Sequence, residues 1–166
     1  MQNRLRLMNG KSDLRHVFVE TAKEVLSRYP ALKHEWSTEA ENGCCTLEFP
    51  RSDENEFDIT VRITSQEIIV YAEGAHQHFE AKDDDKGAVE DSLGLVRDLL
   101  SLDMRIRELR AGDSPYRWHI EAFRGGTWYV EHTTGLLFWN FFGRKTERLL
   151  QNNALPRRLN SSDSKP

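Results

Sequence analysis

The stretch FDITVRITSQEIIVYAEGAHQHFEA, Phe57 to Ala81, decides the fold class. Phe57, Ile59, Val61 and Ile63 alternate with Asp58, Thr60 and Arg62. That is the period of two expected of a strand with one buried and one wet face. Ser65-Gln66 and Gly74-Ala75 interrupt the pattern where tight turns would fall. Strands are therefore expected over 57–64, 67–73 and 76–81, joined as an antiparallel meander. Shorter alternating runs at 34–38 and 44–49 extend it upstream.

Helical patterns bracket the meander. Ser12 or Asp13 can cap a helix whose apolar positions are Leu14, Val17, Phe18, Thr21, Ala22, Val25, Leu26 and Tyr29. This is an i, i+3, i+4, i+7 stripe, and Pro30 ends it. Downstream, KDDDKG at 82–87 puts carboxylates at a second helix N-terminus, where the helix dipole favours them. That helix is expected to run to about Leu102, with Val89, Leu93, Val96, Leu99 and Leu100 on its stripe. A second strand series follows at 104–109, 116–123, 127–133, 136–142 and 146–151, with turns at Gly125-Gly126 and Gly143-Arg144.

Ten strands at about 4.8 Å spacing would make a sheet about 48 Å wide. Two helices, each about 10 Å across, cover less than half of it. The sheet must curl, split in two or be covered by a partner. The expectation is an α+β fold in helix–meander–helix–meander order, with two helices packed on a strongly curved, mostly antiparallel sheet. Two pseudo-repeated halves would then be a repeat of architecture and not of sequence. A single domain is expected over 1–151, and 152–166, which lacks periodicity, reads as a flexible tail.

The chain of 166 residues, 38% hydrophobic and 30% charged, is large enough for a core without disulfides. Cys44 and Cys45 are adjacent and supply no disulfide framework. The amino-terminal residues contain no apolar run of signal-peptide length. The longest apolar run, 136–142, falls short of the roughly 20 residues of a spanning helix. A cytoplasmic location without membrane contact is the expectation. Net charge is −4, with acids in excess over 1–99 and bases in excess over 100–166. Such asymmetry marks either a nucleic-acid face or two halves that neutralise each other.

Motif chemistry is sparse. His76, His78 and Glu80 alternate and would project from one strand face, the spacing of a partial metal site. A catalytic zinc needs three protein ligands, and no further HxxxH or HExxH spacing supports these weak candidates, so no metal or cofactor is expected. No phosphate-binding loop, nucleophile elbow or dinucleotide fingerprint occurs. Catalytic residues are not identifiable, and a non-catalytic protein is expected.

The stretch GLLFWNFFGRK, Gly135 to Lys145, is apolar on both strand faces. Leu136, Phe138 and Phe142 are expected to meet the helices, leaving Leu137, Trp139 and Phe141 on the second face. Alternation places Trp118, Ile120 and Ala122 on a core face, with Trp128, Val130 and His132. The second face would gather Phe123, Tyr129, Trp139 and Phe141 beside Arg144 and Lys145. Arg105 and Arg107 share a face, as do Arg117, His119 and Glu121. Aromatic rings beside cations suit protein interfaces and single-stranded nucleic acids alike. The expected function is a protein–protein binding module of adaptor, inhibitor or immunity type, acting through Phe123, Tyr129, Trp139, Phe141, Arg144 and Lys145 on another protein or on a second copy. The alternatives are a nucleic-acid binder using the Arg-rich strands, and an enzyme or small-ligand pocket between sheet and helices.

Overall fold

The computed structural model describes residues 13–39, 43–80, 85–135 and 143–158. The first helix, α1 (Leu14–Ser27), is capped by Asp13, whose Oδ1 accepts the Arg15 N–H. Its stripe buries Leu14, Phe18, Ala22 and Leu26, one residue per turn. Five strands follow: β1 (Glu35–Thr38), β2 (Cys45–Phe49), β3 (Ile59–Ile63), β4 (Glu67–Ala72) and β5 (Ala75–Glu80). They pair in chain order as an antiparallel sheet, the expected meander. Register sets Val61 against Val70 and Ile63 against Ile68, so the alternation seen in the sequence becomes one apolar face. Each such buried aliphatic side chain contributes about 1.5–3 kcal/mol of transfer free energy.

The second helix, α2 (Asp85–Leu99), buries Val89, Ser92, Val96 and Leu99. After it come β6 (Met104–Ala111), β7 (Ser114–Arg124), β8 (Thr127–Gly135) and β9 (Lys145–Leu150). These form a separate antiparallel sheet in the order β8-β7-β6-β9. The expected strand over 136–142, with its two faces, lies outside the described residues.

The class is α+β, but two sheets stand where one strongly curved sheet was expected. The physical reason is how the apolar surface is covered. α1 and α2 lie against each other and against the first sheet. α2 also touches β6, while β7 and β8 touch β5. The second sheet therefore presents its buried face, Ile106, Trp118, Ile120 and Leu150, to the first layer. A second layer covers what curling would have covered. The two halves also differ in plan, because β9 pairs with β6 and not with β8.

The layers meet at the turn joining β4 to β5. That turn is Glu73-Gly74, one residue earlier than the sequence suggests, because Ala72 pairs with Ala75. A Cβ on Gly74 would fall 2.2 Å from the Trp118 ring, so only glycine fits beneath the indole.

The described part of the expected flexible tail, 152–158, is docked. Asn152 and Leu155 are buried, and the Leu155 N–H donates to the Leu100 carbonyl at 2.9 Å. The Arg158 N–H donates to Asp103 Oδ2, and the Arg158 guanidinium lies 2.8 Å from Asp98. A boundary at 151 thus falls inside a packed segment, which the low hydrophobicity of NNALPRR concealed.

Substituting Gly74 by Ala is expected to destabilise the protein by about 1–3 kcal/mol, because the indole or the turn must move. Gly94→Ala in α2 is the converse case. Its Cβ would meet nothing closer than 3.8 Å, and stability should rise by about 0.5–1 kcal/mol. Urea denaturation of both variants measures the two signs.

Candidate functional site

The outer face of the second sheet follows from strand register. The β7–β8 turn is Gly125-Gly126 with φ of +56° and +83°, the two-residue type that needs positive φ at both positions. It pairs Arg124 with Thr127 and so Phe123 with Trp128, and Ala122 with Tyr129. Further along, the register shifts between Ile120 and Glu121, and Glu131 becomes the extra residue of a β-bulge. Cross-strand partners share a face. The outer face therefore carries Trp128, Val130 and Thr133 on β8, and Phe123, Glu121, His119 and Arg117 on β7. β6 adds Arg105, Arg107 and Leu109, and β9 adds Leu149, Glu147 and Lys145.

At the centre of this face the Glu121 carboxylate is fully buried. Arg105 Nε donates to its Oε2 at 2.7 Å, and Arg107 Nη2 donates to Oε1. A buried carboxylate needs this compensation, since an unpaired charge there would cost several kcal/mol. Arg105 also stacks on Trp128, its Cζ 4.1 Å from the ring centroid. Trp128 in turn packs against Phe123, with centroids 5.1 Å apart, and Arg157 from the docked tail lies 4.4 Å over Phe123. The result is a layer in which two packed rings lie between two guanidinium planes. Arg107 Nε is buried and has no hydrogen-bond partner among the described residues.

The expected site residues that are described do not form one patch. Phe123 lies on the outer face, but Tyr129 points to the opposite face because of its pairing with Ala122. Trp128, assigned to the core by simple alternation, takes the place expected for Tyr129. Trp139 and Phe141 lie outside the described residues. Lys145 pairs with Ala111, beside the β6–β7 turn, and its Nζ is 5.0 Å from the Tyr116 ring. Arg144 immediately precedes it, and its carbonyl accepts the Gly112 N–H. These two cations sit about 30 Å along β7 from Phe123, at about 3.3 Å per residue. The long-range pairing of β9 with β6 separates them, and nothing local in the sequence encodes that pairing.

His76, His78 and Glu80 share the outer face of the first sheet, as their spacing predicts. Here His78 Nδ1 lies 2.8 Å from Glu67 Oε2, and the His76 ring packs on Tyr71 and His78. Among the described residues, no three His, Cys, Asp or Glu side chains could hold a metal ion together. The two cysteines differ in burial. Cys44 is buried beneath Arg62, whose Nε is 3.2 Å from its sulfur, and Cys45 packs at the edge of the core. Burial raises the Cys45 pKa.

His119, between Arg107 and Arg117, has its pKa lowered, first by burial and then by those two cations. Its Nδ1 lies 2.8 Å from Thr133 Oγ1. An imidazole that protonates less readily folded than unfolded leaves the unfolded state with more protons as the medium turns acidic. Stability is then lost as pH falls through the ordinary histidine value of about 6.5, until the folded midpoint is passed. His119→Gln should flatten the stability profile between about pH 7 and pH 5. The NMR titration midpoint of His119 should lie below that of free histidine and rise in Arg117→Ala. Comparison with known proteins yields no match to a family model, a curated protein or a solved structure.

Proposed function

We propose that this protein is a non-catalytic binding module that engages a protein partner through the outer face of its second sheet. One observation carries the proposal: the two cations at the centre of the face are already paired, whereas the aliphatic side chains at its margins are exposed. Arg105 and Arg107 hold Glu121, and Arg107 also approaches Glu147. Meanwhile Val130 on β8 and Leu149 on β9 are 51% and 45% exposed, at the two margins of the same face. Tyr129, the remaining large exposed hydrophobic among the described residues, also belongs to β8.

Neutralised cations make poor phosphate contacts, because nucleic-acid affinity comes mainly from releasing counterions. Exposed aliphatic residues around a preorganised arginine–aromatic centre suit a protein interface instead, where Arg and Trp supply most of the binding free energy. The fixed geometry of the ring and guanidinium layer lowers the entropy lost on docking.

The test is partner capture from the native cell extract with Val130→Asp and Leu149→Asp. Both side chains are solvent-exposed, so the fold should persist. A charge placed in the contact should weaken capture about tenfold or more, in line with the 2 kcal/mol or so of an interface hot spot. Thr60→Asp, on the outer face of the first sheet, should leave it unchanged. Salt-sensitive binding to single-stranded oligonucleotides, insensitive to both substitutions, would transfer the function to nucleic acid.

A further inference from the structure

A cleft of about 340 Å³ opens where the turn after α1, the segment before β3 and the docked tail meet. Its walls are largely apolar: Tyr29, Leu32, Phe49, Phe57, Leu100 and Leu155. A narrower apolar recess of about 50 Å³ shares five of these residues and continues between the helices, against Leu26, Leu93 and Val96. The volume falls at the lower end of the range for small-molecule sites, about 300–1,000 Å³.

One wall carries Asn152, which is 4% exposed. The Phe57 N–H donates to Asn152 Oδ1 at 3.1 Å. A backbone N–H is only a donor, so the amide oxygen must face it and the amide nitrogen must face away. Among the described residues nothing accepts a hydrogen bond from Nδ2. With its oxygen fixed, the amide is left with Nδ2, which is not sealed from solvent, as the donor suited to orient a ligand in an apolar pocket. At the exposed rim lies Lys33, which has no acidic partner among the described residues, while Glu56 is occupied by the Ser52 N–H at 2.7 Å.

We infer that this cleft binds an elongated apolar molecule ending in a carbonyl-type acceptor, an acyl chain with a carboxylate or an amide head. The head oxygen accepts from Asn152 Nδ2, and the chain lies along Phe49 and Leu100 into the recess. Lys33 favours the charged head and Glu56 opposes it, so the two head groups are separate arms of the test. The site lies off the outer face of the second sheet, although the strap that walls it also carries Arg157 onto Phe123, and the inference does not rest on the function proposed for that face.

The experiment titrates the full chain with decanoate and, separately, with decanamide. Isothermal calorimetry and the NMR signal of the Asn152 side-chain amide report binding. The expected result is saturable binding of at least one probe, with a shifted Asn152 amide signal. Asn152→Asp keeps an oxygen for the Phe57 N–H but replaces the donor, and should weaken that binding at least tenfold. Ala154→Trp places an indole at the mouth from an exposed position and should abolish it, with the unfolding midpoint retained. Binding of neither probe overturns the inference. So does undiminished binding by a folded Asn152→Asp or Ala154→Trp variant.

Discussion

The arrangement of the two sheets depends on the seat of one indole. Trp118 rests its ring on the backbone of Gly74 and donates its Nε1–H to Glu108 Oε2 at 3.1 Å. Glu108 is itself 5% exposed and is held by Arg110. The contact thus joins an apolar surface to a buried charge. Removing the indole would forfeit a burial worth about 3–5 kcal/mol and strip the carboxylate of a donor. The Glu73 φ of +51°, unfavourable for a residue with a side chain, is tolerated because the turn is pinned from above. Once Trp118 is seated, Ile106, Ile120 and Leu150 follow onto the same buried face.

On the other side of the same strands, Glu121 organises the outer face. A wholly buried carboxylate is weak evidence for stability, since an apolar residue in its place would escape the desolvation cost. What the ion cluster supplies is placement. Arg105 cannot leave Glu121 without exposing a buried charge, and its guanidinium is therefore fixed over Trp128. Trp128 holds Phe123, and Arg157 caps Phe123 from the tail. Burial inside the sheet is converted in this way into order on its surface.

The local pattern of the chain made most of the fold legible. Leu14, Phe18, Ala22 and Leu26 at helical spacing, and Ile59, Val61 and Ile63 at strand spacing, report burial that depends only on which side of an element a residue occupies. Register was less legible but not hidden. The Gly125-Gly126 turn already implies that Phe123 faces Trp128, so simple alternation on each strand was the wrong guide to the aromatic face. The common face of Arg105, Arg107 and Glu121 could be anticipated from alternation and the pairing of β6 with β7, whereas the complete burial of Glu121 could not. The pairing of β9 with β6 lies between residues some forty apart and has no short-range signal. That pairing separates Arg144 and Lys145 from the rings.

Docking of the tail shows why polarity misleads over short segments. Between 152 and 158 only Asn152 and Leu155 are buried, too few to create a period. The segment is held instead by single interactions with many partners. Asn152 takes the Phe57 N–H at the entrance to the first sheet, Leu155 bonds Leu100 after α2, and the Pro156 carbonyl accepts from Arg97. Gln151 reaches the Leu102 and Met104 carbonyls beside the second sheet. Each bond is worth only about 1 kcal/mol net. Together they tie both sheets and α2 to the eight residues from Gln151 to Arg158, and the cleft exists because that strap, and not a packed helix, closes the end of the core. A strap can be held by a few directional bonds while leaving volume beneath it, which a packed helix cannot, since helix packing fills space to crystal-like density.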